Sequence, residues 1–325
     1  MKKSVAVENN VVKPGTYVAP KKSLFKECKK HYALLLMLLP GVVALFLFNY
    51  LPMGGLLVAF KEYKFKLGIL GSPWADNYGM RYMIEMFAGG DFLRIFKNTI
   101  VISFLKMVIG WPLPVAFALM LNEMRGKVYK RVIQTISYLP HFFSWVILGG
   151  IFKMVFATMG PVNQILQMLG ASEPVNFMGQ NTSFLWIIVG TAAWQQLGWS
   201  AIIYMAALSG VDESLYEAAY IDGASRWKQV WHISIPSIMG TITTVFIMNL
   251  GGILNAGFDQ IYNMYNVSVY EISDILDTYS LRLLSAGRYE MGTALGMFKS
   301  VVALIFVLGS NWIVKVVSKD EFGIL

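Results

Sequence analysis

Two amide side chains lie between two indoles in the segment WQQLGW, which occupies residues 194–199 within a long apolar stretch. Aromatic faces can stack on the flat face of a pyranose ring, and amides can hydrogen-bond to its hydroxyl groups. A polar group inside a membrane-spanning helix costs free energy unless it meets a partner or water. This combination indicates a path for a sugar-like solute, and its leading candidate residues are Trp194, Gln195, Gln196, Trp199 and Tyr204.

Three more polar side chains occupy apolar stretches later in the chain. Asn249 and Asn255 fall within a predicted span and Asp259 lies near its outer end, so we add them to the candidate pathway. Each candidate also has a simpler interpretation, because amides join packed helices and aromatic rings collect at membrane interfaces. The whole set is therefore a stronger prediction than any single member.

A charged insert, EAAYIDGASRWKQVWHISIP, separates two apolar runs at residues 217–236. Asp212 can cap a helix over DESLYEAAYID, and Gly223 can end that helix in the left-handed conformation. Ser225 can cap a second helix that carries Trp227 and Trp231 and runs toward Pro236. The pattern predicts two short helices that meet at Gly223.

The first of these helices has one narrow side and a charged rim. Ala218 and Ala219 would let it lie deep in a groove, while Glu217, Asp222 and Arg226 offer charged groups at the edge. Such a surface suits a reversible joint with another protein. The alternative is an ordinary solvated helix-turn-helix, which is a common structure.

Several other chemistries lack their residues. The sequence has no GxxxxGK[ST] segment to hold nucleotide phosphates and no HExxH, and His31, His141 and His232 lie far apart. We therefore expect no catalytic residue, no metal site and no cofactor held by this chain. The histidines are interpreted as interfacial or packing residues. A proton- or sodium-driven carrier would ordinarily place carboxylates within its spans, whereas the acidic residues of this sequence fall in loops or at the ends of the predicted spans.

The elements that must position these residues are membrane helices. The chain is 56% hydrophobic and only 14% charged, with a mean hydropathy of +0.55. Its single cysteine, Cys28, excludes an intramolecular disulfide framework. A spanning helix needs about 20 mainly apolar residues, and such windows fall at residues 31–60, 98–121, 132–157, 184–210, 233–258 and 291–317.

Charge predicts the orientation of these six spans. Residues 1–30 carry eight lysines, and basic residues mark the cytoplasmic side of membrane proteins. We predict a basic cytoplasmic tail over residues 1–30 and a membrane domain over 31–325, with the hairpin at about 211–236 in the cytoplasm. Lys153 and Lys299 either snorkel to an interface, pair with a carboxylate of a partner, or face an acidic sugar.

The insert resembles the EAA loop of permease subunits in binding-protein-dependent ABC importers, which reads EAA, then Gly, then Ile-x-Leu-Pro. The matching residues are Glu217, Ala218, Ala219, Asp222, Gly223, Ala224, Ile233 and Pro236, while Ile235 replaces the usual leucine and Gly240 a second proline found in many relatives. The likeness extends from about Leu34 to Lys315 through LPMGGLLVAFKEYKF, QTISYLPHFFSW, WQQLGWSAIIYMAAL and LNAGFDQIYNMYN. These segments together are similar to the sugar-importer branch, and within it to the permeases for complex oligosaccharides and polysaccharide fragments.

The resemblance implies an all-α integral membrane fold with six transmembrane helices, the type I importer permease with a MetI-like core. It implies that Glu217 to Arg226 seat in a groove of a cytoplasmic ATPase, and that the ATPase binds ATP and Mg. It also implies a second, similar permease, two ATPase copies, an extracytoplasmic binding protein and a bacterial inner membrane. The expected function is passage of oligosaccharides into the cytoplasm, and the alternative is a gradient-driven secondary transporter of a polar solute.

Overall fold

A computed structural model describes residues 31–317 of the chain. The predicted basic tail over residues 1–30 and Cys28 lie outside the described residues. The chain divides into two compact units, Met1–Gly55 and Leu56–Leu325. The boundary between the two units falls inside the first predicted span, residues 31–60.

The described residues are helical and contain no β-strand beyond one isolated bridge between Lys61 and Trp74. The all-α prediction is therefore confirmed. The α-helices, in chain order, are α1 Tyr32–Leu45, α2 Gly68–Gly71, α3 Arg81–Ala88, α4 Gly90–Gly110, α5 Pro112–Glu123, α6 Lys127–Tyr138, α7 Trp145–Val155, α8 Pro161–Met168, α9 Asn181–Leu208, α10 Glu213–Ile221, α11 Arg226–Gln229, α12 Ile235–Ser237, α13 Met239–Gly251, α14 Phe258–Met264, α15 Tyr270–Ser273, α16 Leu276–Ser285 and α17 Tyr289–Val317.

The first unit contains α1 and the start of the segment that follows it. Regular α-helix ends at Leu45, gives way to a π-helical turn over Phe46–Tyr50, and continues as 3₁₀-helix over Leu51–Phe60. Pro52 lacks the backbone N–H that an α-helix needs at this point. The change of helix type falls at the segment LPMGG, whose proline and glycines disfavour a regular α-helix.

Within the described residues, three continuous helical stretches are long and apolar enough to cross a membrane: Tyr32–Phe60, Gly90–Glu123 and Tyr289–Lys315. Two bent pairs raise that number to five if each pair forms one crossing. α9 is 28 residues long but is not among them. The membrane-helix class is confirmed, whereas the count of six crossings stays a prediction.

The third predicted span, residues 132–157, is not one helix, and that prediction was wrong. Helical residues Lys127–Phe142 and Trp145–Val155 meet at an angle of 102°. Pro140 opens a short 3₁₀ turn, and Phe143 and Ser144 then adopt extended backbone conformations. An extended residue cannot continue the hydrogen-bond ladder of a helix, so the chain changes direction there.

The fifth predicted span, residues 233–258, is also broken and ends earlier than expected. Arg226–Ser237 and Met239–Gly251 meet at 60° around Ile238. After Gly251 the chain forms a loop in which Ala256 and Gly257 both have positive φ angles, of 45° and 80°. α13 therefore ends at Gly251, before these two residues, and their left-handed conformation lets the chain enter α14 in a new direction.

The centre of the second unit is α9, which packs on α4, α5 and α6. Because helix α9 is surrounded by other helices, its apolar side chains lie in the interior on several faces. Its fully buried side chains include Phe184, Ile188, Val189, Ala201 and Tyr204. The helix therefore lies at the centre of the unit. Its last residue, Leu208, is four residues before Asp212, which caps the first helix of the hairpin.

Candidate functional site

The charged insert forms the predicted two-helix hairpin. The Asp212 carboxylate accepts a hydrogen bond of 2.9 Å from the Ser214 backbone N–H and caps α10. This backbone hydrogen bond lowers the pKa of the Asp212 carboxyl below its ordinary value. Gly223 has a φ of 75° and ends the helix, so the predicted cap and the predicted left-handed glycine are both present.

The second arm of the hairpin is shorter than the sequence suggests. Ser225 caps α11 through a long hydrogen bond of 3.5 Å to the Lys228 N–H, but α11 is only four residues long. A π-helical turn over Val230–Ser234 follows and leads to Pro236. π-turns re-register the side chains of a helix and are frequent at functional sites.

Most of the hairpin residues with a predicted role face outward. Glu217, Ala218, Asp222, Gly223 and Arg226 are exposed, while Ala219 and Ala224 are half-buried. Two large apolar side chains beside them, Tyr220 and Ile221, are 78% and 83% exposed. An exposed apolar patch rimmed by charge is typical of a protein interface. Tyr220 and Ile221 were missed by sequence reasoning, although their place inside the EAA segment could have indicated them.

One contact fastens the hairpin to the helix bundle, and a second joins its two arms. Arg226 forms a salt bridge of 2.8 Å with Glu123, the last residue of α5. The Tyr216 hydroxyl and the Ser234 hydroxyl are 2.9 Å apart and join α10 to the returning arm. The hairpin is therefore held together by its own two arms and attached to the bundle at α5, as well as through the chain itself.

An apolar groove lies between α5 and the returning arm of the hairpin. Its volume is about 960 Å³, and the Glu123 and Arg226 side chains stand at its charged edge. Its apolar lining includes Trp111, Val115, Leu119, Trp227, Trp231 and Met239. Trp227 and Trp231, which were predicted to lie on the second helix of the hairpin, both contribute to this lining.

The candidate pathway residues on α9 occupy different environments. Trp194 and Trp199 are about half exposed, and Gln196 is exposed, whereas Gln195 and Tyr204 are buried. The Gln196 amide donates to the Gln195 Oε1 atom at 3.0 Å. The Tyr204 ring packs in the core with its neighbours on α5 and α13, so it presents no free surface in this conformation.

A second cavity, of about 590 Å³, brings together two candidates from the loop after α13. Asn255 and Asp259 line it, together with residues that sequence reasoning missed: Trp145, Phe258, Gln260, Asp277, Ser280 and Leu281. Aromatic rings and side-chain amide, hydroxyl and carboxylate groups converge here, which is the composition of a site for a polar organic ligand. Asn249 is exposed on α13 and is not part of this lining.

The two groups of candidates flank the same bend in the chain. Trp145 follows the bend between α6 and α7 and lines the cavity. Phe143, at the bend itself, accepts a long hydrogen bond of 3.5 Å from the Gln195 amide. Two turns after Trp145 on α7, Phe152 meets Trp194 edge to face, with ring centroids 5.7 Å apart. Tertiary structure thus places the α9 aromatics and the cavity beside one short segment.

Two lysines in the apolar helices have partners within the chain. Lys299 binds both carboxylate oxygens of Asp277, at 2.6 and 2.9 Å, at the edge of the cavity. Lys106 donates to the Ala256 carbonyl at 2.7 Å and to Gln260 Oε1 at 2.5 Å. Lys153 is exposed and makes no salt bridge among the described residues. Lys299 therefore pairs with a carboxylate of its own chain, an arrangement that the three sequence-based alternatives did not include.

Gln260 extends the Lys106 contact into a buried network. Its amide nitrogen donates to the Ile188 carbonyl at 2.7 Å and to the Thr191 hydroxyl at 2.8 Å, so α4, α9 and α14 are joined through one side chain. Buried polar groups are stable when every member has a partner. This network fixes the strained loop at Ala256 and Gly257, which forms one wall of the cavity.

The described residues contain no group of three or more His, Cys, Asp or Glu side chains placed to hold a metal ion. The three histidines lie on separate elements, and their expected packing roles differ. His232 Nδ1 lies 3.0 Å from the Lys228 carbonyl in the hairpin, whereas His141 stacks on Trp199.

Comparison with known proteins places these features in a family context. A family model described as "Binding-protein-dependent transport system inner membrane component" matches residues 109–320. Protein LplB of Bacillus subtilis (strain 168) is 41% identical over 290 residues, covering 88% of this chain and 90% of that protein. The polygalacturonan/rhamnogalacturonan transport system permease protein YteP of the same organism is 39% identical over 297 residues, covering 91% of both.

Solved structures agree with the sequence comparison. A chain from the crystal structure of a bacterial ABC transporter involved in the import of the acidic polysaccharide alginate superposes with a TM-score of 0.83 and 37% identity. The superposition covers 90% of this chain and 98% of that one. A chain of the bacterial alginate transporter in complex with alginate pentasaccharide-bound periplasmic protein gives a TM-score of 0.84 at 36% identity, covering 93% and 100%.

Proposed function

This chain belongs to the family of inner membrane components of binding-protein-dependent transport systems, and from that membership we propose that it is the permease subunit of an ATP-driven importer of oligosaccharides or polysaccharide fragments. Its partners are a second, similar permease, two cytoplasmic ATPase subunits and an extracytoplasmic binding protein that delivers the sugar. ATP and Mg are bound by the ATPase, and this chain holds no cofactor. It resides in the bacterial inner membrane with a cytoplasmic N-terminus.

One structural relationship carries the proposal. A single 28-residue helix, α9, bears the exposed Trp194, Gln196 and Trp199 side chains and ends four residues before the hairpin cap at Asp212. In this proposal a displacement of the hairpin moves these side chains through α9, the helix that connects the two regions. Seating of Glu217 to Arg226 on an ATPase would link nucleotide-driven closure to movement of the pathway.

The candidate pathway has the chemistry that sugars require. Exposed indoles on α9 offer stacking faces, and the cavity of about 590 Å³ presents Asn255, Asp259 and Ser280 to a ligand. Its volume lies within the range of small-molecule sites. The similar proteins include transport proteins named for polygalacturonan, rhamnogalacturonan and alginate, so we propose a carbohydrate of more than one residue as the cargo.

Reconstitution of the complete importer in proteoliposomes tests the function. We expect oligosaccharide uptake that requires ATP, the ATPase subunits and the binding protein. Uptake by this chain alone, driven by a proton or sodium gradient, would instead establish the secondary transporter. Trp194→Ala should lower the uptake rate at least about threefold, since loss of a stacking ring removes about 1 kcal/mol or more of contact. Trp312→Ala serves as the control, because it removes an indole of α17 that is 66% exposed, against 48% for Trp194.

A further inference from the structure

His141 has an unusual position in the bend between α6 and α7. Its imidazole lies flat on the indole of Trp199, with ring centroids 4.4 Å apart and planes within 2° of parallel. Phe142 meets the same indole edge to face at 5.8 Å. The three rings form a cluster that neither the cavity near Asp259 nor the hairpin includes. His141 and Phe142 belong to the bend segment, defined as Leu139–Ser144, and Trp199 belongs to α9.

One atom of this cluster lacks a hydrogen bond. His141 Nδ1 is buried from solvent and has no hydrogen-bond partner. A buried polar atom without a hydrogen-bond partner is destabilising, so its position requires an explanation. Phe143 and Ser144, beside it, have extended backbone inside an apolar region. Irregular backbone at membrane depth is tolerated only against protein or a wet cavity.

The surroundings of the cluster also argue against a lipid-facing position. Gln196 is exposed on α9 three residues before Trp199, so both side chains lie on the same side of the helix. Ser144, at the end of the bend segment, is exposed as well. An amide and a hydroxyl exposed to hydrocarbon would be costly. Stacking rings with adjacent hydrogen-bonding groups instead match the two faces of a sugar ring.

From these contacts we propose that the bend segment and Trp199 form a sugar-binding subsite in which His141 occupies the place of a pyranose ring until cargo arrives. The cargo ring displaces the imidazole from the indole face, and the freed Nδ1 atom then hydrogen-bonds to a hydroxyl group of the sugar. This inference rests on the proposed function and names a residue, His141, that sequence reasoning assigned to packing.

Cysteine accessibility tests the location of the subsite without altering His141. Cys28 is the single natural cysteine, so Phe142→Cys in a Cys28→Ser background carries one thiol. In the reconstituted complete importer, we expect a charged, membrane-impermeant methanethiosulfonate reagent to modify the new thiol. Sugar-loaded binding protein should slow that modification at least about threefold, since bound cargo covers the bend. Leu304→Cys, on an exposed apolar position of α17, is the control and should stay unmodified.

Two results of this experiment would overturn the subsite. A thiol at position 142 that reacts no faster than the one at position 304 would mean that lipid or a helix of the second permease covers the bend. A reactive thiol that cargo does not protect would mean that sugar passes elsewhere. Wild-type uptake is measured first: its absence for every oligosaccharide overturns the proposed function, whereas normal uptake with an unprotected thiol overturns the subsite alone.

Substitution of His141 separates hydrogen bonding from packing. His141→Phe keeps a flat ring on Trp199 but removes both nitrogens, so the uptake rate at low cargo concentration should fall about fivefold, the factor expected for one hydrogen bond. His141→Asn loses the stack but keeps an amide near the Nδ1 position, and uptake should recover to within about twofold of the wild type. The opposite order, with the phenylalanine variant more active, would show a packing role and overturn the proposal. If neither variant assembles, the cysteine experiment decides.

Discussion

Gly198 lies so close to Ser137 that no side chain fits between them. A Cβ atom added to Gly198 would overlap the carbonyl oxygen and carbonyl carbon of Ser137. The contact brings the backbone of α6 directly against α9, one residue before Trp199 in the chain. The close crossing therefore sets the distance at which the bend segment meets the α9 aromatics, because every larger residue would hold the two helices apart.

Gly198→Ala tests this crossing. We expect the added methyl group to separate α6 from α9 at a cost of about 1–3 kcal/mol, as is usual for overpacking in a close-packed interior. Thermal unfolding in detergent and the rate of sugar uptake should both decrease. Gly190→Ala is the matched control, because a Cβ added to Gly190, on the same helix, would meet no atom within 4 Å. Equal effects of the two substitutions would contradict the crossing.

The hairpin should depend on the conformation of Gly223 and not on its small size. Its φ is 75°, and a Cβ there would meet no atom within 4 Å. Gly223→Val should therefore act through backbone strain alone, at a cost of about 1–2 kcal/mol, and reduce the amount of ATPase that copurifies with the permease. Gly223→Asn should retain more binding, because asparagine adopts the left-handed region readily. Equal binding by both variants would show that the turn is not needed for docking.

The salt bridge between Arg226 and Glu123 should affect coupling more than stability. Both side chains are partly exposed, so the pair contributes only about 0.2–1 kcal/mol to folding. Glu123→Arg should nevertheless lower the number of sugars transported per ATP hydrolysed, because it releases the hairpin from α5. Combining it with Arg226→Glu restores opposite charges and should restore that ratio. Failure of the double variant to recover, despite normal assembly, would assign Arg226 to the ATPase contact alone.

The Asp277–Lys299 pair should stabilise the wall of the cavity. Lys299→Met leaves the Asp277 carboxylate without its two hydrogen bonds and should lower the free energy of unfolding by about 1.5–3 kcal/mol. Asp277→Asn in addition removes the unpaired charge and should recover part of the loss. Thermal unfolding of the single and double variants measures the coupling energy. Strictly additive effects would contradict a direct interaction between the two side chains.

Features that depend on a few neighbouring residues, such as helix caps and left-handed glycines, were predicted most reliably from the sequence. The cap at Asp212 and the left-handed Gly223 are both found where they were predicted. Each depends on a few neighbouring residues, because a cap requires only a side-chain oxygen within reach of the next backbone amides. The prediction that the third span, residues 132–157, is one continuous helix was wrong for the opposite reason. Its apolar composition continues through the bend, and hydropathy does not record the extended backbone at Phe143 and Ser144.

The amino-acid sequence by itself determined that this protein is a helical membrane protein with a charged hairpin, because composition and motif spacing are properties of neighbouring residues. The permease function followed from the resemblance of that hairpin and its flanking segments to importer permeases. Only the tertiary structure decided which polar groups meet. Lys106 reaches Gln260 across 154 positions, Lys299 reaches Asp277 across 22, and His141 meets Trp199 on another helix. Such pairs follow from how helices bend and interdigitate, and packing of this kind depends on contacts between segments that no local pattern contains.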